Sequence, residues 1–462
     1  MNILKELSFL KENQIATDSE NLLEYGRDWT RYYTPNPKAI LFPTTTEEVQ
    51  KIILWARKNK ISIVPSGGRT GLSGAAVAKN GEVVVSFQRM NKIISFNEID
   101  QVMTCQAGCL TEEVQNFASL KGAHFPVDFA ARGSSQIGGN VATNVGGLNV
   151  VRYGLMRDWV AGLEVVTGTG EILKLNNGLV KNNTGYDFRH LFIGSEGTLG
   201  IITEVTLRLT VPPKDTSVVI VGLEDHQNVS KVYQRFRSAM NLTAFEMFTE
   251  DAVQYVLRSH PELSPPLGQR LPIYLLIEAE TDSEDKMQAL LTSFEECVEA
   301  GYIQDGVISQ SEQQAENFWK YRDYISESLS PHTPYKNDIS VKISDVTQFI
   351  QETNKILETE YPQFKVVWFG HIGDGNLHVN VLKPSELNMD EFVKSCQKVN
   401  QILFKSIEKY QGSVSAEHGV GLSKKPFLHF TRSQAEIEIM KQIKKVFDPD
   451  LILNPGKIFD IT

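Results

Sequence analysis

A chain of 462 residues exceeds what one hydrophobic core organises, so two or three domains are expected. Its 41% hydrophobic and 22% charged residues suit a globular protein. The formal charge of -10 argues against a nucleic-acid binder, which would show a basic stripe, though not against a small anionic substrate held by local Arg or Lys. Four cysteines (Cys105, Cys109, Cys297, Cys396) fit packed thiols in a reducing compartment better than a disulfide framework. The opening Met1-Asn2-Ile3-Leu4-Lys5-Glu6 lacks a signal-peptide core, and no apolar run approaches the roughly eighteen residues of a membrane span. A cytoplasmic protein is expected, with a peripheral membrane contact left open.

Residues 1–43 close on Tyr32-Tyr33-Thr34-Pro35-Asn36-Pro37, an irregular entry. Thr45 and Glu48 make a capping box for a helix whose Val49, Ile52, Ile53 and Ala56 form one apolar stripe. A strand at Ile61–Val64 leads into the loop Pro65-Ser66-Gly67-Gly68-Arg69-Thr70-Gly71-Leu72-Ser73-Gly74, and a second strand, Val83–Phe87, follows. Glycines between two strands do not open a helix, which excludes a Rossmann fingerprint, and there is no P-loop. Glycine-rich turns recur at Gly133-Ser134-Ser135-Gln136-Ile137-Gly138-Gly139-Asn140, running on through Thr143, Asn144, Gly146 and Gly147, and at Gly194-Ser195-Glu196-Gly197-Thr198-Leu199-Gly200-Ile201-Ile202-Thr203. Singly, each reads as a tight turn. Together they suit a long ligand with a central pyrophosphate, because glycine lets backbone N–H groups approach an anion.

The strand Glu204–Leu209 is stopped by Val211-Pro212-Pro213-Lys214, a domain hinge. Beyond it, strands at Val218–Val221 and Ile273–Ile277 alternate with helical stretches such as Ser283–Glu299, an α+β pattern. Ser433 and Glu436 cap a last helix that stops before Asp448-Pro449.

Two further stretches carry chemistry. In Phe369-Gly370-His371-Ile372-Gly373-Asp374-Gly375-Asn376-Leu377-His378-Val379-Asn380 the Gly/Asp/Asn run argues against helix, so a loop feeding a strand is expected. Leu377, Val379 and Val381 then face a core, and His378 and Asn380 share the opposite face. The second stretch, Ser415-Ala416-Glu417-His418-Gly419-Val420-Gly421, is a glycine-bounded turn with an acid and a third imidazole. Two His and a carboxylate suffice to hold zinc or a similar ion with a position left open. The plain alternative is a pair of satisfied turn histidines and a solvated turn.

In order along the chain, Pro65–Gly74, Phe125-Pro126-Val127-Asp128, Gly138–Gly147, Gly194–Ile202, the HxGDGNLH run, the AEHGVG run and Asn454-Pro455-Gly456-Lys457 resemble the motifs of the FAD-linked D-2-hydroxyacid dehydrogenases. That family includes D-2-hydroxyglutarate dehydrogenase, D-lactate dehydrogenase and the glycolate oxidase D subunit, within the vanillyl-alcohol-oxidase superfamily. The resemblance runs from about Pro43 to the C-terminus. It implies an α+β chain: a two-part FAD-binding domain of the vanillyl-alcohol-oxidase type over 1–213, an α+β substrate and metal domain with an antiparallel sheet over 214–425, and a small helical segment over 426–462 packing back toward the flavin. FAD would be non-covalent, its pyrophosphate over Pro65, Ser66, Gly67, Gly68, Arg69, Thr70, Gly71 and Ser73. Pro126, Asp128, Gly133, Ser134, Gly138, Gly139, Thr143, Asn144, Gly146, Gly147, Glu196, Gly197, Gly200, Ile201, Ile202 and Asn454 would line the rest.

The resemblance further implies a divalent ion on His371, His378 and Glu417, zinc first and manganese or cobalt as the other ions such sites accept, with His418 as base. Arg322, Ser326, Lys336 and Asn380 would hold the substrate. Arg322 and Ser326 are expected on one helix face at i, i+4, although Arg322 paired with Glu316 or Asp323 on a solvated helix reads equally well. Ser326 stands where the D-2-hydroxyglutarate branch has threonine. The expected reaction is oxidation of a D-2-hydroxyacid to the 2-oxoacid, D-2-hydroxyglutarate first and D-lactate or glycolate second, with an electron-transfer flavoprotein or a quinone as acceptor. A homodimer is among the quaternary states expected. The rival of another class is a zinc hydrolase without flavin.

Overall fold

The computed structural model describes residues 6–30, 32–213 and 215–461. Met1–Lys5 of the opening segment and Lys214 of the hinge lie outside the described residues. The chain forms two compact units: Met1–Gly147, Gly154–Pro212 and Glu417–Thr462 make the first, and Leu148–Tyr153 with Pro213–Ala416 the second.

The first unit holds two sheets. β1 (Ile15–Ala16), β2 (Ala39–Leu41), β3 (Ile63–Ser66) and β4 (Val83–Ser86) are ordered β1-β2-β4-β3, with β2, β4 and β3 parallel and β1 an antiparallel edge. The helix Thr46–Asn59 connects β2 to β3 and buries Val49, Ile52, Ile53 and Ala56 against the strand residues Ala39, Ile63 and Val83. Its N-cap forms as expected, Thr45 Oγ1 accepting from Glu48 N at 3.2 Å. The reciprocal half does not: the Glu48 carboxylate accepts from Thr44 N at 2.7 Å instead of Thr45 N, so the expected box closes one residue early. β3 and β4 are parallel yet joined by the glycine loop without a helix, as the sequence suggests.

β5 (Ile93–Asn97), β6 (Val102–Gln106), β7 (Val160–Thr167), β8 (Ile172–Leu175) and β9 (Gly200–Arg208) form an antiparallel sheet in the order β5-β6-β9-β7-β8. Two turns read from the sequence need correction here. Residues Ile137–Thr143, expected as turn, are helical, so Gly138 and Gly139 lie inside a helix. Gly138 has a packing reason: a β-carbon there would stand 2.5 Å from that of Ala107, the residue after β6, whereas one on Gly139 would meet nothing within 4 Å. Likewise Gly200, Ile201 and Ile202 already belong to β9, where both isoleucines are core.

The last helix, Gln434–Phe447, has the expected Ser433/Glu436 box and ends before Asp448-Pro449. Asp448 is fully buried, accepts from the backbone N–H of Ile452 (3.1 Å) and Leu453 (2.8 Å), and pairs with Lys444 Nζ at 2.8 Å. Burial pulls the Lys444 pKa down, with Asp448 opposing it. The segment so fixed lies parallel beside β3, Leu453 opposite Ile63.

The second unit is a seven-stranded antiparallel sheet of β10 (Thr216–Leu223), β11 (Leu242–Thr249), β12 (Ile273–Glu280), β13 (Asp305–Ile308), β14 (Tyr335–Ser340), β15 (Val366–Gly370) and β16 (Asn376–Val381). Their order is β13-β10-β12-β11-β15-β16-β14. The helix Glu284–Glu299 starts from Ser283, whose side chain accepts from Lys286 N. The expected single helix through Arg322 and Ser326 is interrupted. Glu312–Asp323 ends at Tyr324, and Ser326 lies on a separate short helix, Ile325–Leu329, so the i, i+4 relation does not hold. All four cysteines are buried and unpaired by disulfides, as expected.

Asp448→Ala leaves the Lys444 ammonium buried without its counter-charge and should lower stability by about 3–5 kcal/mol, read as a fall in the urea midpoint.

Candidate active site

In the first unit the loops singled out from the sequence are laced together by backbone. The Ser73 carbonyl accepts from the N–H groups of Leu422 (2.9 Å) and Ser423 (3.0 Å). Glu196 Oε1 accepts from Val420 N at 2.6 Å and Oε2 from Gly421 N at 2.7 Å. Asn454 Nδ2 donates to the carbonyls of Ala75 (2.9 Å) and Glu196 (2.7 Å). A β-carbon on Gly68 would stand 2.1 Å from the Ser134 carbonyl oxygen, so the first two glycine stretches touch. Arg69, Asn144, Glu196 and Asn454 all hold left-handed backbone (φ 60°, 51°, 51° and 41°), a strained conformation that collects at functional sites.

This cradle suits a polar ligand. Ser66 Oγ, Ser73 Oγ, Gln136 Oε1 and Asn454 Oδ1 are buried without a hydrogen-bond partner, and each such atom costs about 1–3 kcal/mol unless something binds it. Other residues chosen as cofactor contacts have side chains engaged within the protein. Both oxygens of Asp128 accept from the single Nη1 of Arg132, Thr143 Oγ1 donates to the Gly139 carbonyl, and the Glu196 carboxylate serves Val420 and Gly421. The bend at Ala416–His418 brings two neighbouring side chains together, with His418 Nε2 3.9 Å from Glu417 Oε1.

In the second unit β16 behaves as read: Leu377, Val379 and Val381 are fully buried on one face, and His378 and Asn380 occupy the other. Register then groups the rest. Asp338 lies opposite His378 and Lys336 opposite Asn380 across β14/β16, while Phe369 of β15 lies opposite His378. Phe248 lies opposite Phe369, which puts Glu246, two residues back on β11, on the same face. His371 and His378 pack edge to face, ring centroids 5.4 Å apart. His378 Nδ1 stands 3.6 Å from Asp338 Oδ1. Within the second unit Asp338 and His378, and within the first Glu417 and His418, each offer two possible ligand atoms no more than 4.8 Å apart.

Arg322 is buried, which overturns the solvated-helix reading. Its Nε donates to Glu246 Oε2 at 2.6 Å, its Nη2 stands 3.4 Å from His371 Nε2, and its guanidinium lies 4.9 Å from the Phe369 ring centre. Glu246 Oε1 faces His371 Nδ1 at 2.8 Å. Burial alone would raise the Glu246 pKa, but His371 and Arg322 hold it below the ordinary value. Burial also lowers the Lys336 pKa. Asn380 Nδ2 is a buried donor without a partner. Sequence reasoning missed Glu246 and Asp338. Glu246 leaves one local trace, a carboxylate inside the apolar strand Ala244-Phe245-Glu246-Met247-Phe248.

Comparison with known proteins agrees with both halves. Residues 37–176 match an FAD-binding domain model, and residues 212–458 match the C-terminal domain of FAD-linked oxidases. The chain is 52% identical over 458 residues to a protein of Stutzerimonas stutzeri named D-2-hydroxyglutarate dehydrogenase, covering 99% of this chain and 98% of that one. It is also 52% identical over 447 residues (97% and 94%) to the protein of that name from Xanthomonas citri. Among solved structures, p-cresol methylhydroxylase aligns with TM-score 0.77 at 16% identity over 99% and 96% of the two chains, a likeness of fold. The chain is an FAD-linked oxidoreductase. It belongs to the FAD-linked D-2-hydroxyacid dehydrogenase family, and the flavin-free hydrolase reading falls with the FAD-binding domain.

Burial raises the Glu196 carboxyl to about 7 from an ordinary value near 4.5, against the pull of the Val420 and Gly421 amides. Between those values the native chain binds more protons than the unfolded one, so this group's contribution is full at low pH and lost as pH rises toward 7. Stability should fall by about 3 kcal/mol from this group between pH 4.5 and 8, at 1.36 kcal/mol per pKa unit. Urea titrations of wild type and Glu196→Gln should differ in that slope.

Proposed function

We propose that this chain oxidises a D-2-hydroxyacid, D-2-hydroxyglutarate first, to the 2-oxoacid at non-covalent FAD, with a divalent ion, zinc first, held by His371, His378 and Glu417. The observation that carries the dicarboxylate is Lys336, a partly buried cation with no carboxylate partner among the described residues, beside the unpartnered amide of Asn380. A half-buried ammonium and a planar guanidinium, Arg322, match a substrate with two carboxylates. Asn380 would donate to one of them. Ser326, on its own short helix, is kept as a further substrate contact.

Two buried carboxylates behind the histidines favour the ion. Glu246 faces His371 Nδ1 and Asp338 faces His378 Nδ1, the usual outer partners of metal-bound imidazole. The Ala416 N–H donates to the Asp338 carbonyl at 3.3 Å, and Glu417 is the next residue in the chain. When bound, FAD supplies the two-electron acceptor and the ion a Lewis acid for the hydroxyl. His418 takes the hydroxyl proton on its imidazole, Arg322 and Lys336 fix the carboxylates, and Asn380 sets orientation.

An anaerobic visible titration with D-2-hydroxyglutarate, D-lactate and their L forms tests this reading. Bleaching by the D-dicarboxylate, lost on chelation and restored by zinc, is expected. Bleaching by D-lactate alone would remove the role of Lys336. His418→Ala should retain FAD and lose at least about 100-fold in the rate of flavin reduction, the usual worth of a general base. Glu417→Gln should lose metal while keeping flavin, as measured by elemental analysis beside the absorption spectrum.

A further inference from the structure

Glu246 is almost fully buried on β11, and its two oxygens face two different groups: Oε2 the Arg322 Nε at 2.6 Å and Oε1 the His371 Nδ1 at 2.8 Å. Neither partner is close to it in sequence. A buried carboxylate needs both oxygens satisfied, and this one divides them between the residues proposed to hold the substrate and the ion. From this geometry we infer that Glu246 is a positioning residue that couples metal ligation to substrate recognition by fixing the His371 tautomer and aiming the Arg322 guanidinium. The inference rests on His371 as ligand and Arg322 as substrate contact.

Hydrogen-bond chemistry determines the tautomer. An ionised carboxylate only accepts, so the ring nitrogen facing Glu246, Nδ1, carries the proton. A guanidinium only donates, so the nitrogen facing Arg322, Nε2, presents its lone pair. Both neighbours select the tautomer in which Nε2 can bind a cation. The same carboxylate holds Arg322 by Nε and leaves the guanidinium carbon over the Phe369 ring, so the outer nitrogens are directed by the protein rather than by the ligand.

Glu246→Gln separates this role from mere packing. Its amide oxygen must face Arg322 Nε, which can only donate, so its NH2 faces His371 Nδ1. That nitrogen must then accept, and Nε2 takes the proton and can no longer bind a metal ion. The expected result for the FAD-loaded protein is a fall in zinc affinity of about 10- to 100-fold, read by competition with a chromophoric chelator, with flavin content unchanged and KM for D-2-hydroxyglutarate raised. Histidine 15N spectra of the chelated wild-type flavoprotein, with the His371 signal assigned by its loss in His371→Asn, should show the proton on Nδ1. A proton on Nε2 there overturns the inference without any Glu246 variant, so a poorly folding Glu246→Gln does not block the test. Wild-type zinc affinity in Glu246→Gln, with affinity lost in His371→Asn, overturns the role of Glu246 and leaves the ligand reading standing. Wild-type affinity in His371→Asn removes the ligand reading itself, and the inference with it.

Discussion

The chain leaves its first unit at Pro212 and returns to it only at Glu417, and the carboxylate of Glu196 receives it there. One oxygen takes the Val420 N–H and the other the Gly421 N–H, a pair of hydrogen bonds to a buried group. Glu196 can aim both oxygens because its own backbone is held in the left-handed region, its carbonyl clamped by the Asn454 amide. Ser73 then takes the next two N–H groups of the returning loop. The order of the glycine loops and the placement of His418 within this unit are thus one constraint.

The second unit solves a different problem. Antiparallel strands with one polar face normally turn it to solvent, but here Glu246, Asp338, His378 and Asn380 lie on a covered face of the seven-stranded sheet. Each polar group on such a face needs a partner. Acid and base pairs meet most of that need: Glu246 serves Arg322 and His371, and Asp338 accepts from Asn376 Nδ2 at 2.8 Å beside His378. What this arrangement leaves over, the Asn380 amide and the Lys336 ammonium, stands side by side across β14/β16.

Local signals in the sequence were strong where short-range chemistry decides the structure. The stripe Val49, Ile52, Ile53, Ala56, the Ser433/Glu436 box and the alternation Leu377, Val379, Val381 against His378, Asn380 are set by periods of 3.6 and 2, and all three appear. Motif residues located the loops, and with them the family. Tertiary partners stayed hidden. Arg322 reads as an ordinary surface helix residue because its counter-ion, Glu246, lies 76 residues upstream on a strand. The break at Tyr324 carries no glycine or proline to announce it, and the helix Ile137–Thr143 is masked by two glycines, of which Gly138 packs closely on Ala107. Glu196 was legible as a loop residue, yet its side chain is directed at backbone that lies more than two hundred positions later.

The strand position that Leu453 takes beside Ile63 has a consequence for biosynthesis. A ribosome working from the N-terminus finishes every strand of the second unit before it makes the segment that completes the first unit's parallel sheet. The nascent FAD-binding half keeps an open sheet edge beside β3 until Ile452 and Leu453 emerge, and until then that edge is available to any other strand.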